Sequence, residues 1–239
     1  MVVEICANSY QSAINAEKAG AHRIELCSEL AVGGITPSYG LLKKVMSELS
    51  IPVHVLIRPR GGDFTYSDDE FEIMKQNILL CKELGCAGIV SGVLHPNASI
   101  DLVRTQELVE LSHPMSFTFH RAFDWISNPK DAISDLEKIG VHRVLTSGQK
   151  TSAEKGISLL RELKDLSPVK ILPGGGIKVH NIQMFKEAGF NEVHFSASTQ
   201  IQTIATPKIS MNSPSFFDET TITFSDIDTI KNILSKIHE

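Results

Sequence analysis

Phe117-Thr118-Phe119-His120-Arg121-Ala122-Phe123-Asp124 is the stretch whose reading decides the fold. Its first half alternates, with two phenylalanines on one face and Thr118 and His120 on the other, which is the period of a β-strand. The alternation then gives way to His120, Arg121 and Asp124, just ahead of a helix start at Asn128-Pro129. Polar groups at the exit of a strand are how α/β proteins build sites.

Outward from this stretch the same formula repeats. Helical segments end as Glu17-Lys18-Ala19-Gly20, Lys82-Glu83-Leu84-Gly85, Glu137-Lys138-Ile139-Gly140 and Lys186-Glu187-Ala188-Gly189, and a strand follows each within a few residues. Glycine in that position caps a helix in the left-handed conformation, where a Cβ would clash. The repetition predicts parallel βα units. Strands are expected at Val2–Cys6, Arg23–Cys27, Val53–Arg58, Gly88–Gly92, Ser116–His120, Arg143–Ser147, Lys170–Leu172 and Glu192–Ser196. Eight such units in 239 residues predict an α/β fold, a single (β/α)8 TIM-type barrel of eight parallel strands spanning residues 1–239. A doubly wound open sheet is the alternative that periodicity leaves open. Ser198–Ser225, rich in Thr, Ser, Asn and Pro, reads as an irregular long loop after strand eight, ahead of a last helix near Asp226–His238. A lid, a subunit contact and a loose segment all fit it.

A hydrophobic fraction of 42% with 21% charged residues is enough for a substantial core. The net charge of −5, without any Lys/Arg block, argues against a nucleic-acid surface. No signal-peptide pattern opens the chain and no apolar run is long enough for a bilayer, so no membrane partner and a cytoplasmic location are expected. The cysteines at 6, 27, 81 and 86 form no C-x-x-C pair or zinc-knuckle spacing and are expected as thiols.

Alternate residues of a barrel strand point inward. The apolar set, Val3, Ile5, Ile24, Leu26, Val53, Val55, Ile57, Phe117, Phe119, Val193 and Phe195, then faces outward. The inward set contains Glu4, Cys6, Arg23, Glu25, Cys27, His54, Arg58, Thr118, His120, His194 and Ser196, too polar for a passive core. A structural ion-pair network, for instance Glu25 with Arg58, is one account; a ligand site at the strand ends is the other.

Three constellations carry chemistry. Glu4-Ile5-Cys6 and Glu25-Leu26-Cys27 repeat one triplet on neighbouring strands about 4.8 Å apart. Both thiols are then expected to point inward at similar height, where they suit a soft monovalent metal such as Cu(I), and they read equally well as small buried apolar groups. Arg58 and Arg60, in Ile57-Arg58-Pro59-Arg60-Gly61-Gly62-Asp63-Phe64, offer guanidinium forks to a carboxylate or phosphate. Leu172-Pro173-Gly174-Gly175-Gly176-Ile177 and Ser196-Ala197-Ser198 follow strands seven and eight, where barrels hold phosphate, and Thr146-Ser147-Gly148 adds hydroxyls to the same rim. Trp125, Met74 and Cys81 read as packing residues, Cys86 has no evident partner, and His22, His113, His142 and His238 read as solvated.

Together these residues resemble the CutC copper homeostasis protein family. The resemblance is carried by Ala21-His22-Arg23-Ile24-Glu25-Leu26-Cys27, Gly33-Gly34-Ile35-Thr36-Pro37-Ser38, Ile57 to Phe64, Thr118 to Asp124, Leu145-Thr146-Ser147-Gly148 and Pro173-Gly174-Gly175-Gly176-Ile177. It implies a (β/α)8 barrel, a cytoplasmic homodimer or higher homo-oligomer, and a role in copper handling with Cys6 and Cys27 as ligands. Met211 offers a soft third ligand to that site. The alternative is an enzyme acting on a small anionic or phosphorylated metabolite by acid/base chemistry at the C-terminal mouth of the barrel. In that reading Arg58, Arg60, Ser147, Gly174, Gly175, Gly176 and Ser196 hold the anion, Glu25 or His120 moves a proton, and Asp124 orients His120.

Overall fold

The computed structural model describes residues 1–211 and 218–239. Eight strands alternate with eight helices. The strands are β1 (Val2–Ala7), β2 (Arg23–Leu26), β3 (Val53–Leu56), β4 (Gly88–Ser91), β5 (Ser116–Phe119), β6 (Arg143–Thr146), β7 (Lys170–Pro173) and β8 (Glu192–Phe195). The helices are α1 (Tyr10–Ala19), α2 (Tyr39–Glu48), α3 (Asp68–Glu83), α4 (Leu102–Ser112), α5 (Pro129–Lys138), α6 (Ile157–Leu166), α7 (Ile182–Glu187) and α8 (Ile227–His238).

Local signals set these boundaries. Gly20, Gly85, Gly140 and Gly189 all adopt positive φ, between 74° and 91°, so the four helix endings turn where the sequence places them. Ser9, Ser38, Ser67, Asp101 and Asp226 cap the starts of α1, α2, α3, α4 and α8 by accepting a main-chain N–H, and Pro129 opens α5.

Every neighbouring pair from β1 to β7 is parallel, β1 also pairs with β8, and a parallel bridge between Gly174 and His194 joins β7 to β8. The eight strands thus form a parallel barrel in sequence order, not an open sheet. Val3, Ile5, Ile24, Val55, Ile57, Phe117, Phe119 and Val193 are fully buried between the strands and the helices. Each such side chain contributes about 1.5–3 kcal/mol.

The inward set fills the barrel with charge instead. Glu4 accepts from Arg23, Arg23 Nη2 reaches Glu192 Oε2 at 2.6 Å, and Arg143 Nε reaches the same oxygen at 3.2 Å. Charges this deep are tolerated because each faces an opposite one. The polar interior is therefore partly structural, and its structural end lies at the N-terminal side of the strands.

The segment expected as irregular is ordered at both ends. Ser198–Gln202 (β9) and Thr221–Ser225 (β10) pair as an antiparallel ribbon. Its base is tied to α1, with Asn15 Nδ2 donating to the Ser225 carbonyl at 2.8 Å and the Ser225 N–H donating to Ser12 Oγ at 3.0 Å. Residues 212–217 of that expectation lie outside the described residues. No described helix is long and apolar enough to cross a membrane.

Candidate functional site

The C-terminal ends of the strands converge on a cavity of about 100 Å³ lined by Cys6, Glu25, Cys27, Arg58, His120 and His194, among others. A larger cleft of about 640 Å³ opens beside it, sharing Cys6, Gly33, Arg121 and His194 and extending along Gly175, Gly176 and Ser196 to Ser198.

At the floor, Cys6 Sγ and Cys27 Sγ lie 3.8 Å apart. The two triplets do not stand level. The register pairs Cys6 with Glu25, so Cys27 lies two residues further toward the rim. Strand tilt and side-chain reach bring the sulfurs together all the same. Cys27 is fully buried and Cys6 half-buried.

His194 joins them. Its Nε2 is 3.3 Å from Glu25 Oε2, and its Nδ1 is 2.8 Å from Glu4 Oε1. Ligand atoms of Cys6, Glu25 and His194 all fall within 4.8 Å of one another. Sequence reasoning missed His194 as a site residue, although its inward position on β8 was the available signal.

The electrostatics follow from burial and from these pairs. The Cys27 thiol, then burial and Glu25, push the Cys6 thiol well above its ordinary range. Burial pushes Glu25 up to about 7 against the pull of His194. Burial works against the His194 cation too, but Glu25, Cys6 and Glu4 outweigh it and hold the imidazolium well above its usual range. Burial likewise opposes ionisation of Glu4, yet His194 and Arg23 keep its carboxyl well below the carboxylate range. The site at rest holds a protonated Cys6 thiol beside a histidine cation.

His120 leaves β5 and is 4% exposed. Its Nδ1 accepts the Ala122 N–H at 3.3 Å. Burial, with the Arg58 charge beside it, lowers its pKa to about 3, so the ring is neutral and carries its proton on Nε2. That Nε2–H is buried without an acceptor among the described residues. The ring packs on Phe64 at a centroid distance of 4.8 Å, and Gly92 leaves it room, since a Cβ there would lie 2.7 Å from Nδ1.

Several expected partnerships are replaced by others. Arg58 does not pair with Glu25. Its guanidinium donates to the carbonyls of Val32 (2.7 Å), Gly34 (2.9 Å) and Gly62 (2.6 Å), pinning the loops after β2 and β3, and stacks 4.9 Å from the Phe64 ring. Arg60 is committed to Glu70 in the first turn of α3 at 2.6 Å and to Asp63 in its own loop at 3.1 Å. Asp124 does not orient His120. It accepts from Thr146 Oγ1 (2.5 Å), Ser147 N (3.0 Å), Gln149 N (3.1 Å) and Arg121 Nε (2.7 Å), fastening the loop after β6 to the exit of β5. Ser147 is buried in that clasp and accepts from Arg121 Nη2 at 3.0 Å.

Gly174 donates to the Thr146 carbonyl at 3.0 Å and bridges to His194 where the barrel closes, whereas Gly175, Gly176 and Ser196 line the cleft. Met211 is 94% exposed, not buried with the thiols. Trp125 is 55% exposed and meets Phe64 edge-on, so it is no core residue. His22 and His142 are exposed, yet each accepts a main-chain N–H on Nδ1, from Val3 and Phe117, at 3.1 Å.

Comparison with known proteins agrees with this architecture. The chain is 44% identical over 241 residues to CutC of Proteus mirabilis, covering 98% of this chain and 96% of that protein. It is 48% identical over 198 residues to CutC of Photorhabdus laumondii, covering 82% and 79%. The crystal structure of CutC from Streptococcus agalactiae superposes with a TM-score of 0.77 at 34% identity, covering 82% of this chain and 98% of that one. The CutC family model matches residues 1–199, which contain all eight barrel strands and the cavity at their ends, and the chain belongs to the CutC family.

Proposed function

We propose that this protein takes part in copper homeostasis and binds Cu(I) as its cargo through Cys6 and Cys27. The Streptococcus agalactiae relative carries a proposed assignment to copper homeostasis. The observation that supports the thiol site is the 3.8 Å separation of the two sulfurs in a chain whose cysteines are free. Metal–thiolate bonds of about 2.3 Å let two sulfurs share one ion at separations up to about 4.6 Å. Thiolates are the ligands that soft Cu(I) selects.

His194 supplies a third donor once it yields its proton, and Glu25 takes up or releases charge as the ion arrives. Loading the ion must displace the Cys6 proton, so affinity rises with pH. The test is X-ray absorption at the copper edge on protein loaded under reducing conditions. Two sulfur neighbours per copper, with or without one nitrogen, are expected. A shell of nitrogen and oxygen alone contradicts the reading.

A further inference from the structure

The mouth of the barrel carries a second set of groups that a soft-metal site does not use. Their chemistry is that of an oxyanion cradle beside a lone hydrogen-bond donor. The cradle comes from the loops after β7 and β8. Gly175 and Gly176 adopt φ of 98° and 76°, and Ala197 adopts φ of 47°. Turns of this kind leave successive main-chain N–H groups free to line an anion-binding concavity.

Several neighbouring main-chain groups are already paired. Gly174 N donates to Thr146, Lys178 N to Asn181 Oδ1, and the carbonyls of Gly175 and Ala197 accept from Ala153 and Asp226. The N–H groups of Gly175, Gly176 and Ala197 have no acceptor among the described residues. Ser196 Oγ, half-buried on the same cleft, has no partner there either.

Arg121 supplies the charge. Its Nε and Nη2 are held by Asp124 and Ser147, which fixes the plane of the guanidinium. Its Nη1 is left over and lies against Gly175, 3.5 Å from where a Cβ would stand. Arg121 lines both the cleft and the small inner cavity, so an anion beside it has its other end directed inward. There the buried Nε2–H of His120 waits without an acceptor among the described residues, its ring clamped by Phe64 and Gly92. A buried donor left unpaired costs stability, which a ligand oxygen restores. The inner cavity of about 100 Å³ holds the volume of about three waters, which suits a fragment of about three carbons.

We infer that the barrel mouth binds a small organic phosphate monoester. Gly175, Gly176, Ala197, Ser196 and Arg121 hold its phosphate, and a hydroxyl or carbonyl oxygen of its body accepts from His120 Nε2. The inference does not rest on copper binding, because none of these phosphate contacts uses Cys6 or Cys27, although both sulfurs line the same cavity.

The experiment is ³¹P NMR titration of metal-free protein, with a chelator present, using glycerol phosphate and inorganic phosphate. Unphosphorylated glycerol is the control in calorimetry. Glycerol phosphate is expected to bind at least about tenfold more tightly than inorganic phosphate, and glycerol alone not to bind. Ser196→Asp, which places a carboxylate in the cradle without touching any existing bond, should abolish binding of both phosphates. His120→Gln and His120→Phe separate the inner contact. Gln keeps a donor and retains most of the tenfold preference, whereas Phe loses the preference but still binds inorganic phosphate. Circular dichroism and thermal melting confirm that each variant is folded. Binding of neither phosphate by the folded parent protein overturns the inference, as does Ser196→Asp binding both like the parent. Equal affinity for the two phosphates in the parent overturns the role given to His120.

Discussion

Arg23 on β2 and Arg143 on β6 reach the same oxygen of Glu192, at 2.6 and 3.2 Å. The two arginines occupy matching places in the runs Ala21-His22-Arg23 and Val141-His142-Arg143, each of which puts a histidine Nδ1 on a main-chain N–H of the preceding strand. Glu192 is therefore the joint between two parts of the barrel wall. Replacing it by Gln leaves two buried guanidinium groups facing a neutral amide. We expect Glu192→Gln to lose about 3–5 kcal/mol, the cost of breaking a buried pair from one side. Urea unfolding of the variant checks this, and an unchanged midpoint would show that the arginines find other partners.

Acid should destabilise the fold through its neutral histidines. Burial lowers His54 to about 4 and His120 to about 3, from an ordinary value of 6.5. The unfolded chain then binds more protons below that value, so these residues contribute stability that is full above pH 6.5 and is lost as pH falls. Glu25, raised from 4.5 to about 7, runs the opposite way, contributing stability below pH 4.5 that disappears toward neutrality. Urea midpoints measured across this range should show a shallower acid limb in His120→Gln than in the parent. Superimposable acid limbs would mean that His120 is already charged in the fold.

Gly34 should not accept a side chain. It has φ of 87°, and a Cβ would lie 2.7 Å from Leu56 Cδ2 and 3.5 Å from Cys27 Cβ. Gly34→Ala is expected to cost about 1–3 kcal/mol, from backbone strain and from pressing on the residues beside the thiols. Thermal melting measures it, with Gly40→Ala as the control, because a Cβ at Gly40 meets nothing within 4 Å.

Most of the barrel was legible because its signals are local. A glycine after each of four helices, alternating apolar residues on five strands and short apolar runs on the rest depend only on near neighbours, and they placed the eight strands within two residues of their observed ends. The thiol pair was legible in kind, though not in register, since a repeated triplet says nothing about stagger between strands. Partnerships across the mouth were not legible. Arg58 and Asp124 chose loop carbonyls and loop N–H groups over Glu25 and His120, and such choices depend on how loops fold back. The antiparallel pairing of β9 with β10 was hidden because β9 is polar apart from Ile201, so the alternation of Ile222 and Phe224 in β10 had no visible partner strand.

The central claim is that one ion is shared by Cys6 and Cys27, whose sulfurs lie 3.8 Å apart. Its most direct test is Cu(I) competition against a chelator under reducing conditions, comparing the parent chain with the Cys6→Ser, Cys27→Ser double variant at several pH values. Burial and the neighbouring thiol hold the Cys6 proton on, so the parent's affinity should climb with pH as that proton is displaced. The account predicts that the folded double variant loses Cu(I) binding by at least about a hundredfold, roughly 2.7 kcal/mol, at every pH. Equal affinity in the parent and the folded double variant would contradict it.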